Sequence, residues 1–325
     1  MNFWERLKEE KKDGIMVLAP MADVTDPAFR RIIAKYGKPD VTWTEFVSAD
    51  GLFLGGYDAL VKDLFFSEEE RPIVAQFFTS KPEMIEKAAE LAVKLGFDGV
   101  DINMGCPDKS VEKQGARAAL IKNPELAKEI ILAAKKGAGT LPVSVKTRIG
   151  YNKNELETWI PKLLEAEPAV ITLHARTRKE MSLVPARWDH VKRAVEIRDA
   201  FVNEDGSKSR TLIFGNGDVL DLEDAEKKVA ETGCNGVMLG RAIFGNPWRF
   251  NREVKKEDLP LENVLNVLVE HSKLFEELLP HKSFAIMKKH FKSYVSGFDN
   301  SKELRLKLME AKNAEDVEKV VTDFL

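Results

Sequence analysis

The fold class that this sequence predicts is α/β: a barrel of eight β/α units, a (β/α)8 or TIM barrel, followed by a small all-helical C-terminal domain. Eight short apolar runs alternate with stretches that carry apolar residues at helical spacing. Eight such repeats over roughly 245 residues fit a barrel better than an open doubly wound sheet. From Asp258 onward only helical patterns follow. We therefore predict a barrel domain at residues 1–250 and a helical domain at residues 251–325.

The elements follow one another in a regular order. The chain begins with an amphipathic helical pattern that carries Phe3, Trp4 and Leu7 on one side. The strands are predicted at residues 15–21, 41–47, 72–78, 99–104, 142–147, 169–174, 211–216 and 235–240. Between them, the helical segments 82–95 and 124–136 both begin with proline, which is favoured in the first turn of a helix. Further helices are predicted at residues 261–279, 283–295, 301–312 and 314–324.

The composition is typical of a globular protein that folds in water, with 325 residues of which 44% are hydrophobic and 32% charged. A net charge of −3 neither requires nor excludes an acidic partner. Two cysteines, Cys106 and Cys234, argue against a disulfide framework and favour a reducing compartment. There is no signal-peptide pattern, and no stretch approaches the ~18 apolar residues of a membrane helix. We expect a cytoplasmic protein with no membrane partner. We also expect a monomer without a metal site.

The segment from Gly99 to Ser110 is the first candidate for the chemistry, because a predicted strand ends there in polar residues and a cysteine. Val100 and Ile102 alternate with polar residues as in a strand. Glycine and proline then favour a turn, so Cys106 is predicted to lie on a loop. A thiol after the carboxyl end of a barrel strand lies where barrels build their active sites. A buried structural thiol is the alternative, since most unpaired cysteines pack as small hydrophobic residues.

The predicted carboxyl ends of the strands carry groups that form hydrogen bonds or bear charge. Because all eight ends meet at one face of a barrel, these side chains are predicted to form a single site. They would be costly in a core, whereas they suit a polar ligand. The residues are Ala19, Pro20 and Met21, Thr44 and Glu45, Gln76, Asn103 with Cys106, Lys146 and Arg148, His174 and Arg176, Asn216 and Gly217, and Gly240 and Arg241.

Two loops with glycine, at residues 214–218 and 239–242, follow the seventh and eighth strands. Many barrels bind phosphate at this position through backbone N–H groups, and Arg241 can add a bidentate contact. A phosphate site beside polar groups in the mouth favours a flat phosphorylated cofactor such as FMN.

Lys146 gives more specific information about the cofactor. A lysine at the end of a central strand can stabilise negative charge on a reduced flavin ring. The alternative is the Schiff-base lysine of an aldolase, which needs a lowered pKa. Asn103, Cys106 and His174 nearby favour the flavin.

A basic stretch at residues 282–312 has eight lysines and arginines against three acidic residues. Such a run is more often a solvated face than a binding surface. The interleaved His281, His290, Phe291 and Tyr294 favour a nucleic-acid surface, because cations meet phosphates and aromatic rings stack on bases.

Together these motifs resemble those of the tRNA-dihydrouridine synthases. The resemblance runs in order and spacing from APMADVTDPAFR at 19–30 to the helical tail, and its most specific part combines NMGCP at 103–107, KTR at 146–148 and HARTR at 174–178. It implies an FMN enzyme that reduces the C5=C6 bond of particular uridines in tRNA, with NADPH as electron donor. The other matching segments are Thr44-Glu45, Gln76, GARAAL at 115–120, GNGD at 215–218 and Gly240-Arg241.

Position by position, the resemblance also implies roles for the matching residues. Cys106 is the general acid and Asn103 lies beside the uracil, while Arg148 and Arg176 lie near the target nucleotide or its phosphates. In that reaction hydride from flavin N5 goes to uracil C6. An ordinary thiol is mostly protonated at pH 7 and can supply the proton at C5. The residues that would hold FMN are Pro20, Met21, Gln76, Lys146, His174, Asn216, Gly217, Gly240 and Arg241.

Two other functions remain open at this point. An FMN-dependent barrel oxidoreductase acting on a free pyrimidine would share the cofactor and the cysteine loop, but it would need no basic domain. A tRNA-binding relative without catalysis is disfavoured by the intact Cys106, Lys146 and His174. The segment 179–186 departs from the family pattern at Ser182 and Val184, where relatives often carry tyrosine and glycine. The position of the modified uridine therefore does not transfer from relatives.

Overall fold

The computed structural model describes residues 2–107 and 115–325, and within them it confirms the predicted barrel. The strands are β1 Ile15–Leu18, β2 Thr42–Ser48, β3 Ile73–Phe78, β4 Gly99–Met104, β5 Val143–Arg148, β6 Val170–His174, β7 Leu212–Asn216 and β8 Gly236–Leu239. They pair in parallel in the order β1-β8-β7-β6-β5-β4-β3-β2. A parallel bridge between Val17 and Val41 brings β1 to the start of β2 and closes the sheet.

Each predicted run overlaps one strand, β4 has the predicted bounds, and β2 and β5 each extend one residue beyond the predicted run. The largest difference is at β1, which ends at Leu18 rather than at Met21. Pro20 has no N–H group to donate to a strand ladder, so the chain leaves the sheet before it.

The helices surround this sheet and continue after it. They are α1 Phe3–Glu10, α2 Pro27–Tyr36, α3 Ala49–Phe53, α4 Tyr57–Leu60, α5 Pro82–Lys94, α6 Pro124–Ala138, α7 Leu156–Leu164, α8 Asp189–Ala200, α9 Leu222–Thr232, α10 Leu261–Leu278, α11 Lys288–Tyr294, α12 Ser301–Leu308 and α13 Ala314–Thr322. Shorter 3-10 turns lie at Val61–Leu64, Glu68–Glu70, Arg117–Lys122, Arg241–Ile243, Lys256–Asp258 and Phe284–Met287. The helix predicted at 283–295 is thus a 3-10 turn followed by α11. No helix in the described residues is long and apolar enough to cross a bilayer.

The interior of the barrel is closed at the amino-terminal ends of the strands by α1. Its Trp4 is buried, with ring centroids 5.8 Å from Trp43 and 5.5 Å from Phe214. Asn2 and Glu5 cap the helix reciprocally, which fixes its first turn. Because α1 fills this end, a ligand site is left at the opposite end, where the strands have their carboxyl termini.

Helices α10 to α13 pack around a second apolar cluster, which also contains Ala28 and Ile32 of α2 and Trp248. The contact with α2 is reinforced at Glu270, whose carboxylate accepts hydrogen bonds from Lys35 Nζ at 2.7 Å and from the Tyr36 hydroxyl at 2.5 Å. The helical region is therefore seated on the outside of the barrel at α2.

Candidate functional site

A cavity of about 670 Å³ opens at the carboxyl-terminal ends of the strands. Of the nine residues predicted to hold FMN, all except Gln76 line this cavity. Ser182 and Arg176 line it as well, so the segment 179–186 reaches the same opening. The eight lining residues are Pro20, Met21, Lys146, His174, Asn216, Gly217, Gly240 and Arg241.

The strand register explains why these residues meet. Arg148 at the end of β5 is level with His174 on β6, and His174 is level with Asn216 on β7. Two residues earlier on β5, Lys146 is level with Asn103 of β4. Parallel pairing without a shift along β4 to β7 thus brings residues far apart in sequence to one rim.

Lys146 points its ammonium group toward the cavity, where Nζ donates to Asn216 Oδ1 at 3.3 Å. The amide of Asn216 is held in this orientation because its Nδ2 donates to the Met238 carbonyl at 2.7 Å. Burial, with a smaller contribution from the charge of Arg148, lowers the pKa of Lys146 to about 8. The lysine is therefore still mostly a cation at neutral pH.

His174 is a neutral imidazole. Arg176 Nη1 lies 3.0 Å from His174 Nε2, and since a guanidinium can only donate, that ring nitrogen must accept. Burial first, and then the cations Arg148 and Lys146, lower the pKa of His174 well below its ordinary value. The proton of the neutral ring is therefore on Nδ1.

Asp218 joins the two arginines of this side of the mouth. One carboxylate oxygen accepts from Arg176 Nη2 and, at 2.8 Å, from the Ala186 amide, while the other accepts from Arg241 Nη2 at 2.7 Å. The bond from Arg176 is the main reason that the pKa of Asp218 lies below its ordinary value. Asp218 stands in a glycine loop of the sequence, and sequence analysis did not identify it as the residue that binds both arginines.

The cysteine loop, residues 105–107 after β4, is held by the buried side-chain amides of Asn103 and Gln76. Asn103 Oδ1 accepts from the amides of Gly105 at 3.2 Å and Cys106 at 3.0 Å, and Asn103 Nδ2 donates to Gln76 Oε1 at 3.0 Å. Gln76 Nε2 in turn donates to Asp101 Oδ2 at 2.6 Å, and burial raises the pKa of Asp101 to about 6. Gln76 therefore supports the loop rather than lining the cavity. Asp108 to Ser110, the end of the predicted segment, lie outside the described residues.

Arg148 fastens the same loop from the side. Its Nε donates to the Gly105 carbonyl at 2.8 Å, and its Nη1 donates to the carbonyls of Thr177 at 3.0 Å and Met181 at 2.9 Å. The side chain is buried. It thus connects the loop after β4 with the segment after β6.

The basic stretch is only partly available to a ligand. Lys282 forms ion pairs with Glu45 at 3.1 Å and Asp63 at 2.8 Å, which ties the helical region to the mouth. His290, Phe291 and Tyr294 are fully buried. The prediction that these three rings stack on bases is therefore wrong, because α11 turns its aromatic side inward to fill the second core.

Comparison with solved structures supports the barrel fold. Morphinone reductase in complex with tetrahydroNAD matches with a TM-score of 0.50 and 13% identity, over 73% of this chain and 85% of that one. Histamine dehydrogenase from Rhizobium sp. 4-9 matches with a TM-score of 0.52 and 11% identity, over 80% of this chain and 48% of that one. At these identities the likeness concerns the fold alone.

Comparison at the level of sequence is more specific. The family model described as Dihydrouridine synthase (Dus) matches residues 17–325. "Probable tRNA-dihydrouridine synthase 2" of Bacillus subtilis (strain 168) is 39% identical over 99% of this chain and 96% of its own length. "Probable tRNA-dihydrouridine synthase" of Staphylococcus aureus (strain MRSA252) is 36% identical over 99% and 95%. This chain belongs to the dihydrouridine synthase family.

Proposed function

We propose that the protein is an oxidoreductase that reduces the C5=C6 bond of uridines in tRNA to 5,6-dihydrouridine, with FMN as cofactor and NADPH as electron donor. The observation that carries this proposal is the cavity at the strand ends with the Cys106 loop held at the end of the neighbouring strand β4. Family membership over nearly the whole chain agrees with it. We also propose that the protein acts as a monomer in the cytoplasm, where tRNA and NADPH are both present.

The residues that line the cavity fit FMN. Gly217 lines the cavity with bare backbone. It has φ +120°, and a Cβ there would lie 2.8 Å from the Ala186 Cβ and 3.0 Å from His174 Cδ2, so no side chain fits at this position. Among the described residues that line the cavity, the cations Lys146, Arg176 and Arg241 outnumber the single carboxylate of Asp218. A backbone free of side chains and a surplus of positive charge suit a phosphate.

Each of these residues has a separate role in the proposed reaction. The chemistry that bound FMN would supply is hydride transfer to the uracil ring. Lys146, with its ammonium group in the cavity, would balance negative charge on the bound cofactor. Cys106 would donate the thiol proton to the ring carbon, and Asn103 would hold the loop so that the thiol faces the ring. Gln76 and Arg148 would keep that loop in place, and Arg176 would fix the tautomer of His174.

For the substrate, we propose that residues 1–250 form the catalytic domain and residues 251–325 bind tRNA outside the modified nucleotide. A uridine must leave a folded RNA to reach a barrel mouth, so the rest of the RNA needs a second holding surface. Lys288 and Lys292 on α11 are accessible for this, and Lys292 is exposed. Lys282, which is paired with Glu45 and Asp63, would set the position of that surface relative to the mouth.

Spectroscopy of the purified protein tests the cofactor part of the proposal. We expect about one FMN per chain by its absorbance, and faster bleaching of that absorbance by NADPH than by NADH. A protein that carries no flavin and cannot be reconstituted with FMN would contradict the proposal.

A further inference from the structure

Arg117 is a buried arginine beside Cys106. Its Nη1 donates a hydrogen bond to Cys106 Sγ at 3.4 Å, and only 4% of its surface is exposed. The guanidinium carbon lies 3.8 Å from the ring centroid of Phe78 and 4.5 Å from that of Phe46. A planar cation stacked on two rings is held in one orientation. The ends of β2 and β3 therefore fix the contact that Arg117 makes with the sulfur.

The backbone makes this placement of an arginine costly. Arg117 has φ +57°, in the left-handed region, at the first residue of the 3-10 turn Arg117–Lys122. For an L-residue this conformation is less favourable than the right-handed one, because the Cβ approaches the following carbonyl oxygen. The contacts of the side chain have to offset that cost. Strain stored beside a reacting group points to a function of the side chain.

The contact of Arg117 differs from the other contacts of the cysteine loop. Asn103 and Arg148 bind backbone groups of Gly105 and Cys106, whereas Arg117 contacts the sulfur atom itself. A guanidinium has donors and no acceptor, so it interacts more strongly with a thiolate than with a thiol.

We propose that Arg117 is a positioning residue for Cys106, which fixes Sγ and stabilises the thiolate that remains after proton donation. This inference rests on the proposed function. In the proton transfer the S–H bond breaks, its electron pair stays on sulfur, and a C–H bond forms at C5 of the uracil ring. A proton from water later restores the thiol.

Alkylation of Cys106 by iodoacetamide at pH 7.5, without tRNA or reductant, tests the contact directly. The rate for each cysteine is measured by mass spectrometry of its own peptide. If the bond to the thiolate contributes about 1.5 kcal/mol, Arg117→Gln lowers the thiolate population about tenfold. A more basic thiolate is also more nucleophilic, so the alkylation rate should fall only about three- to fourfold. Arg117→Lys, which keeps the charge, should restore much of the rate.

The control is Arg71→Gln. Arg71 is also stacked on an aromatic ring, that of Phe66, but it lies before the first residue of β3, at the end opposite to Phe78. The alkylation rate of this variant should equal that of the wild type. If Arg117→Gln does not fold, Phe78→Leu carries the test: removal of the ring beneath the guanidinium should slow alkylation about twofold, and an unchanged rate overturns the inference.

Turnover gives the second measurement. Arg117→Gln should lower kcat for uridine reduction about tenfold while the affinities for FMN and tRNA stay unchanged. Equal alkylation rates and equal kcat in Arg117→Gln and wild type overturn the inference. A wild-type protein that reduces no uridine instead refutes the proposed function, and the alkylation result is independent of that outcome.

Discussion

The mouth of the barrel and the seam between α2 and the helical region both bury ionisable side chains. The two regions differ in whether these side chains have hydrogen-bond partners. At the mouth, the buried side chains of Arg148 and Arg176 and the half-buried side chain of His174 all have hydrogen-bond partners. At the seam, His271 and His290 lie fully buried against Phe29, with ring centroids 5.4 and 5.0 Å from it. None of their four ring nitrogens has a hydrogen-bond partner among the described residues.

This difference separates a site from a core. Partnered charges around a cavity hold a geometry for a ligand, and their cost is offset by hydrogen bonds. Imidazoles that lack partners and lie between apolar rings contribute only packing and stay neutral. Each buried nitrogen without a hydrogen bond lowers the stability of the fold by roughly 1–3 kcal/mol. Burial lowers the pKa of His271 well below its ordinary value and, with a smaller contribution from Lys289, that of His290 to about 3. Substitutions in the two regions should therefore have different consequences.

The largest expected effect is at the mouth. Cys106→Ser should still bind FMN and be reduced by NADPH, but its rate of tRNA turnover should fall ~10²- to 10⁴-fold, since a hydroxyl is a far weaker acid than a thiol. The matched control is Cys234→Ala, which removes the buried thiol whose sulfur donates to the Gly236 carbonyl at 3.3 Å. It should leave activity per folded molecule nearly intact. Equal decreases in both variants would remove the distinction between a reacting and a packed cysteine.

The second effect is at the seam and concerns stability in acid. The pKa of folded His290 lies below the unfolded value of about 6.5, so as pH falls the unfolded chain binds the proton first. Stability should decrease between about pH 6.5 and pH 3, by about 2 kcal/mol at pH 5 from this residue. His290→Phe should remove that decrease, whereas His190→Gln, on the outer helix α8, should not. Urea unfolding at pH 7.5 and pH 5 measures the difference, and an identical pH response of His290→Phe and wild type would contradict it.

The third effect returns to the mouth. Arg241→Ala should weaken FMN binding by about 1.5 kcal/mol, or about tenfold, the low end for a charge-assisted hydrogen bond. The low end applies because Arg241 is 68% exposed and already donates to Asp218, with which a phosphate must compete. Fluorescence titration of the apoprotein with FMN measures the change. Arg252→Ala, which removes an exposed arginine paired with Glu226, is the control and should not alter the affinity. Unaltered affinity in Arg241→Ala would place the phosphate elsewhere.

The smallest effect tests the surface beyond the seam. Lys288→Gln with Lys292→Gln should reduce the slope of log K against log salt for tRNA by about 0.7 to 0.9 for each phosphate that the variant no longer neutralises. Lys8→Gln with Lys12→Gln, on and beside α1 at the other end of the barrel, should leave the slope unchanged. Equal slopes in all three proteins would assign the α11 lysines to an ordinary solvated face.

The convergence of polar side chains at the mouth could be predicted from the sequence, whereas the burial of aromatic rings at the seam could not. Parallel strands align their ends, so Lys146, His174 and Asn216 converge once the strands are placed in order. In α11 the rings of His290, Phe291 and Tyr294 alternate with lysines, and this pattern suits either a core-facing side of a helix or a surface that binds RNA. The pattern around His290 and Phe291 therefore indicated a surface where the structure has an interior.

Contacts between distant loops were also beyond the sequence. Asp218 stands in a glycine loop and Arg117 in the GARAAL segment, and neither position indicates its partners. The ion pairs of Lys282 with Glu45 and Asp63 depend on how the helical region sits against the barrel. Gln76 was predicted to lie at the strand-end face, and the resemblance implied that it holds FMN; in the structure its amide binds Asn103 and Asp101 beneath the cysteine loop, contacts that the sequence does not show.

The most direct test of the central claim compares substrates for the protein with reduced FMN. Unmodified tRNA, free uridine and uracil are incubated with it in turn, and the products are measured by liquid chromatography with mass spectrometry. We expect dihydrouridine in tRNA and no comparable reduction of the free compounds, because in the proposed function the mouth supplies the chemistry and the helical region holds the RNA. Two results would contradict the account: reduction of free uracil at the same rate as uridine in tRNA, or tRNA that gains no dihydrouridine although the protein holds reduced FMN.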